Sequence, residues 1–368
     1  MIPLLQARVP PDAAARVSSA LASGYINIGE RVAALERGLV ERLGAREVLA
    51  TNSCTSALVL ALRLALGDGT EGGHGGVIAS PMTFVATTTA IYQVGARPLW
   101  ADTEEKSCQM SAASARTIRG ASAILAVAWA GWLPDLAALR ALADEQGIPL
   151  ILDAAQALGA TFQGRPLCDW ADYVCHSFSP TKHLTCGDGG ALICRAPEKA
   201  AEARKLAWFG MRRGTQGTER VPSDQDIAAW GYKFNMNEIA ASIGLAGLDG
   251  LDDALARARR ISSAYEAGMP FGNRERDMRD VLPSPWFYTI FVDDPDRFIA
   301  HMAAAGVACS QPHRRNDAYP FAAAERRSLP NVEWAQAHYV ALPIGWWMSD
   351  ADVKTVTDAA CAYPGCWF

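Results

Sequence analysis

A lysine set in a short polar loop between two apolar runs has the widest chemistry open to it of any residue in this chain. Lys182 stands within Ser177-Phe178-Ser179-Pro180-Thr181-Lys182-His183-Leu184-Thr185-Cys186-Gly187-Asp188-Gly189-Gly190. A lysine there can form a Schiff base with a carbonyl cofactor. Earlier by 29 positions (182 − 153), the apolar run Pro149-Leu150-Ile151-Leu152 ends on Asp153. An acid at the C-terminal end of a buried strand sits where an open α/β sheet receives its ligand. The two together point to pyridoxal 5′-phosphate, with Lys182 holding the aldehyde and Asp153 facing the protonated ring nitrogen. Each also has a plainer reading. Lysines usually lie in surface turns, and Asp153 could cap the helix that follows it.

Other residues fit the same chemistry, each beside a bland alternative. Thr51-Asn52-Ser53-Cys54-Thr55-Ser56-Ala57 lies between a strand and a helix. Its small hydroxyl residues and the helix N-terminus suit a phosphate, or Ser53 or Thr55 is simply the N-cap. Phe84 follows the next strand, where an aromatic could stack on a flat ring or pack into the core. Gln156 could reach a ring hydroxyl or lie on the surface. Ser177 could hold phosphate or cap a turn. Singly these decide nothing. Their order does: phosphate loop, aromatic, strand-end acid and lysine loop, each after a strand.

The elements that must position these residues alternate. Helical patterns cover Val17 to Ala22, Arg31 to Leu43, Ser56 to Leu66, Val85 to Val94 and Leu136 to Glu145. Strand patterns cover Glu47 to Thr51, Val77 to Ser80, Pro98 to Ala101, Ser122 to Ala128, Leu150 to Leu152, Tyr173 to His176 and Ala191 to Cys194. Such alternation predicts a mostly parallel sheet covered by helices, an α/β fold. The glycine-rich Gly67 to Gly76 reads as a surface loop with His74 solvated. One long helix is expected from Asn237 to about Arg260, leading into a smaller α+β domain. That domain should hold a strand over Trp286 to Val292, a helix over Pro295 to Ala305, a strand over Val307 to Cys309 and a helix over Asp350 to Ala360. The expected division is residues 1–245 and 246–368.

Bulk properties narrow the class. The chain has 368 residues, enough for a large and a small domain, and a net charge of −5, which argues against a nucleic-acid partner. No run approaches the ~18 apolar residues of a membrane span, and the start, Met1-Ile2-Pro3-Leu4-Leu5, is too short for a signal peptide. Nine scattered cysteines suggest reduced thiols in a cytoplasm, without the spacing of a metal site.

With those residues in place, the chain resembles the PLP-dependent sugar aminotransferases of the DegT/DnrJ/EryC1/StrS family, in fold type I of the aspartate aminotransferase superfamily. The matching blocks are Ser23-Gly24-Tyr25-Ile26 with Gly29, Thr51 to Leu58, Pro81 to Ala86, Asp153 to Ala160, Ser177 to Gly190, and Gly231 to Ile239. The resemblance implies a seven-stranded sheet between helices and a smaller C-terminal α+β domain. It makes Lys182 the Schiff-base lysine and proton shuttle, Asp153 the pyridinium partner, and Gln156 the contact to the ring 3-hydroxyl. It makes Cys54, Thr55 and Ser177 phosphate ligands, and Phe84 the stacking residue. Asn235 is similar to the asparagine that reaches the phosphate of a neighbouring subunit, which implies a homodimer with shared sites.

The implied reaction transfers an amino group from L-glutamate, through pyridoxamine 5′-phosphate, to a keto carbon of a nucleotide-diphosphate-linked 6-deoxy sugar, for polysaccharide or antibiotic sugars. A sugar dehydratase, a non-catalytic sensor and a nucleotide-binding oxidoreductase are the alternatives. The intact Lys182 argues against the dehydratase, and the lack of Gly-x-Gly-x-x-Gly after the first strand against the oxidoreductase. The chain departs from the family at Ala128-Trp129-Ala130-Gly131, Leu158 and Ser179, which alters a pocket wall. His313, Arg314 and Asn316 could contact the sugar nucleotide or form a surface turn.

Overall fold

Strands buried on both faces need helices on both sides, and the burial pattern of this chain follows that demand. The computed structural model describes residues 1–67, 75–212, 226–269 and 281–368; His74 lies outside them. Helices α1 (Ala13–Ala22) and α2 (Glu30–Leu43) come first. Then β1 (Leu49–Thr51) leads into α3 (Cys54–Leu66), β2 (Gly76–Ala79) into α4 (Val85–Gln93), and β3 (Arg97–Trp100) into α5 (Ala112–Arg116). β4 (Ala121–Val127) and α6 (Leu136–Gln146) precede β5 (Leu150–Asp153). The short strands β6 (Thr161–Phe162) and β7 (Arg165–Pro166) precede β8 (Tyr173–Ser177), β9 (Gly190–Cys194) and α7 (Pro197–Leu206).

The main sheet has seven strands in the order β1-β9-β8-β5-β4-β2-β3. Neighbours pair in parallel from β8 to β3, and β9 runs against both β1 and β8. All but β9 therefore end on one edge. Alternate residues feed two cores. Val77, Ala79, Leu125 and Ile151 join α3 on one face. Ile78, Ile124, Ala126, Leu150 and Leu152 join α2 and α6 on the other. Helix α3 is buried almost all round, from Ser56 to Leu64, which explains its apolar sequence.

The long helix expected from Asn237 is two helices, α8 (Glu238–Leu248) and α9 (Leu251–Gly268). The final carbonyls of α8 are taken by side chains: Arg8 donates to Gly247 O and Arg42 to Leu248 O. A Cβ at Gly250 would stand 2.0 Å from the Arg8 guanidinium, so glycine leaves room for that cap. After β10 (Val281–Leu282) come β11 (Phe287–Phe291), α10 (Pro295–Ala304), α11 (Pro330–His338), β12 (Tyr339–Pro343) and α12 (Asp350–Cys361). The strand expected at Val307 to Cys309 is absent; the segment makes only isolated bridges, Val307 to Ile2 and Ser310 to Ala341.

β11 and β12 pair antiparallel and form a seam. Phe287, Phe291, Tyr339 and Ala341 face the core of the large sheet, whereas Tyr288, Ile290, Val340 and Leu342 face a third core with α9, α10 and α12.

Candidate active site

The expected residues gather at the edge where the parallel strands end. Register places Val127 beside Asp153 and Asp153 beside Cys175, so the acid is flanked by strand ends on both sides. Ser177 ends β8, Phe84 starts α4 after β2, and Cys54 starts α3 after β1. Gly190 lies opposite both Thr51 and Ser177. A Cβ there would sit 2.5 Å from Cys54 N, so glycine lets the lysine loop approach the N-terminus of α3.

Asp153 is 4% exposed. Its Oδ2 accepts from Thr87 Oγ1 at 2.7 Å and its Oδ1 from Ala155 N at 3.0 Å. Because the Thr87 proton goes to Asp153, Thr83 Oγ1 supplies the proton of the 2.7 Å contact to Thr87. Burial raises the Asp153 pKa; the Thr87 and Ala155 donors and the charge of Lys182 oppose it. A cation brought to this acid would keep it ionised.

The Lys182 loop is tied at both ends, by Phe178 N to Gly189 O and Cys186 N to Phe178 O. Burial lowers the Lys182 pKa to about 7, against the pull of Asp153. Nζ lies 3.2 Å from the centroid of the Trp286 ring. Burial, then Asp153, raises the Cys54 thiol well above its usual value, so it is neutral near pH 7.

Gln156 is oriented by its surroundings. Ala130 N donates to its Oε1 at 2.6 Å, so its Nε2 is the donor toward His313 Nε2 at 3.2 Å. His313 then accepts at Nε2 and carries its proton on Nδ1, an atom with no hydrogen-bond partner among the described residues. Burial, then the charge of Lys182, lowers the His313 pKa to about 3, so the ring is neutral. Tyr339 fixes its backbone: His313 N donates to the phenol at 2.8 Å and the phenol donates to His313 O at 2.5 Å. Phe84 is 55% exposed, which excludes core packing, and its ring centre lies 5.6 Å from that of His313.

Ser53, not Thr55, caps α3 by accepting from Ser56 N at 3.1 Å. The first-turn amides of Cys54 and Thr55 have no acceptor within the helix. Ser177 Oγ accepts from Ser179 N at 3.3 Å. Asn235 lies beside the end of β1, which leads into α3. It bridges to Thr51, accepts from Lys233 Nζ, and lines a groove of about 460 Å³ with Ile28, Gly29 and Met236. Of the three C-terminal candidates, Arg314 is exposed over Tyr319, and His313 and Asn316 are buried. The Asn316 amide bonds Thr88 Oγ1 at 2.8 Å and its backbone N donates to Pro81 O, so it ties this loop to the Phe84 segment.

Sequence reasoning missed Thr83, Thr87 and Trp286, and read Trp129 and Ala130 only as an altered pocket wall. Thr83 precedes the N-cap of α4 and Thr87 lies in its first turn, and their hydroxyls meet at 2.7 Å. Ala130 adopts φ +57° and its carbonyl accepts from Trp286 N at 2.9 Å, while Gly131 O accepts from Ser284 N at 3.0 Å. These bonds hold the segment before β11 against the end of β4. Trp129 Nε1 donates to Thr289 Oγ1 at 3.0 Å, across the same seam.

A mostly parallel seven-stranded sheet with its acid and lysine on the carboxyl edge places the molecule among the fold type I transferases. The crystal structure of sugar aminotransferase CalS13 from Micromonospora echinospora matches at a TM-score of 0.91 and 32% identity, covering 98% of this chain and 99% of that one. AtS13 from Actinomadura melliaura matches at 0.92 and 33%, covering 99% of each. A curated relative, the spore coat polysaccharide biosynthesis protein SpsC of Bacillus subtilis (strain 168), is 31% identical over 297 residues, 78% of this chain and 70% of SpsC.

The model of the DegT/DnrJ/EryC1/StrS aminotransferase family matches residues 9–360, and the chain belongs to that family. Among the described residues no helix is long and apolar enough to cross a membrane, and all nine cysteines are free.

Proposed function

We propose that this protein is a PLP-dependent aminotransferase that moves an amino group from L-glutamate to a keto carbon of a nucleotide-diphosphate-linked 6-deoxy sugar. The observation that carries the reading is the meeting of Asp153, Lys182 and the N-terminus of α3 at one sheet edge, in a chain of an aminotransferase family. Sugar chemistry is supported by the similarity to CalS13, a sugar aminotransferase, and to SpsC, a spore coat polysaccharide biosynthesis protein.

The donor set fits the cofactor. The α3 amides of Cys54 and Thr55, with Ser177, would hold its phosphate. Asp153 would face the ring nitrogen, Phe84 offers an exposed flat face, and Gln156 would reach the ring hydroxyl. Bound there, pyridoxal phosphate supplies a carbonyl that carries the amino group and a protonated ring that draws off electron density. Burial brings the Lys182 pKa down to about 7, so neutral amine is present near neutral pH and can take and return a proton in the same cycle. Thr87 and the Ala155 amide orient Asp153 and favour its ionised form against burial. Asn235 and the groove beside it would meet a second copy, in a homodimer with shared sites.

The same reading assigns residues 1–245 to a cofactor-binding domain and 246–368 to a smaller one. The helix break at Asp249–Gly250 and the separate core that begins at Ala258 support a division near there. The test is borohydride reduction of the purified protein with added PLP, followed by peptide mapping and then by assay of keto sugar nucleotides with glutamate. A phosphopyridoxyl adduct on Lys182, absent in Lys182→Ala, is expected together with amination. Turnover that survives in Lys182→Ala would overturn the assignment.

A further inference from the structure

Trp286 is the aromatic residue in contact with the amine on which the proposed chemistry depends, and the chain fixes it from several sides. It is 7% exposed. Its indole Nε1 donates to Thr181 O at 2.8 Å, one residue before the lysine, and its backbone N donates to Ala130 O at 2.9 Å. The neighbouring Pro285 carbonyl meets His183 Nε2 at 3.1 Å. The indole is therefore pinned to the lysine loop and to the end of β4, and Lys182 Nζ rests on its face.

The charged and titratable groups around that amine are few. Asp153 acts on it from β5 and raises its pKa, and the thiol of Cys54 on α3 is neutral near pH 7. His183 and His313 face it as neutral rings, their pKa values lowered to about 4 and about 3. An aromatic face attracts an ammonium but not a neutral amine. It therefore returns part of the stabilisation that burial takes away, and shifts the amine toward the charged form.

We propose that Trp286 is a positioning residue for Lys182: its indole face holds the uncombined amine and raises its basicity, so docking of the C-terminal region on Ala130 and Gly131 helps set the protonation of the lysine. This rests on the reading of Lys182 given above. The free amine is thereby held against the indole and away from solvent.

The test is the pKa of that one amine in the full chain freed of cofactor. Brief acetylation with acetic anhydride across a pH series, read by mass spectrometry of the Lys182 peptide, gives it directly. Trp286→Leu keeps an apolar contact and removes the π face, so the pKa should fall by about 0.5 to 1.5 units. Trp286→Phe, with a weaker face, should fall by less. A Leu variant within about 0.2 units of the wild type, or Phe and Leu variants that titrate together, would overturn the proposal, since packing alone would then account for the contact. If the Leu variant fails to fold by circular dichroism, the Phe variant decides by the same criterion. Borohydride mapping of the wild type is a separate readout: a missing adduct would remove the cofactor reading and leave the comparison of amines standing.

Discussion

Replacing Thr87 by valine tests how the site controls its buried acid. Valine keeps the volume of threonine and exchanges the hydroxyl for a methyl, so Asp153 Oδ2 loses its 2.7 Å donor and the Thr83 hydroxyl loses its acceptor. Thr83, Thr87 and Asp153 are 2, 2 and 4% exposed, so water does not readily replace either bond. A hydrogen bond to a charged acceptor contributes about 1.5–3 kcal/mol, equivalent to about one to two pKa units on Asp153.

The sign follows from the raised pKa of Asp153. A carboxyl that is harder to ionise in the fold than in the unfolded chain costs stability as pH rises from its unfolded value, near 3.9, through its folded one, and the loss then levels off. Thr87→Val raises the folded pKa further, so the loss is larger and runs to higher pH. In cofactor-free protein the stability gap between variant and wild type should be smallest at pH about 3, below the unfolded value, and wider by about 1.5–3 kcal/mol at pH about 8. Urea unfolding followed by tryptophan fluorescence measures both gaps. Equal destabilisation at the two pH values would refute the reasoning, because the hydroxyl would then support the fold without regard to the charge of Asp153.

Two further changes probe the scaffold around the site. Gly131 has φ +88°, and a Cβ there would lie 1.7 Å from Ser284 O. Gly131→Ala should therefore destabilise by more than the ~1–2 kcal/mol of left-handed strain alone, and near-wild-type unfolding in urea would show that the segment before β11 does not need this close approach. Arg315 and Asp317, at 5 and 0% exposed, form a two-pronged pair at 2.6 and 2.5 Å. Arg315→Met leaves the aspartate buried without its partner and should cost about 3–5 kcal/mol. Restoration of stability by the added change Asp317→Leu, measured by thermal unfolding, checks that the unpaired charge is the cause.

Much of this molecule is legible in its sequence because strands and strand ends are local patterns. The runs that end on Asp153 and at Ser177, the glycines that close the lysine loop and the capped start of α3 each announce themselves within a few residues, and the family blocks add their order. Other features are decided by residues far apart in the chain. Asn237 to Arg260 has the pattern of one helix, but it breaks at Asp249–Gly250, where the guanidiniums of Arg8 and Arg42, more than two hundred positions away, take the last carbonyls of α8. Glu238, read as part of a motif, is buried at the start of α2, accepting from Arg31 N and Val32 N. Asn316 looks open for a ligand until Thr88 and Pro81 are seen to hold it.

The sequence by itself singled out the residues proposed to carry the chemistry and the strand ends that present them, since those depend on side-chain type and short-range periodicity. Only the tertiary structure decided the setting of that chemistry: Thr87 on Asp153, Trp286 under Lys182, and Gln156 fixing the tautomer of His313. Protonation depends on burial and on whichever polar or aromatic group lies within a few ångströms, and the folding of distant segments onto one sheet edge places those groups there.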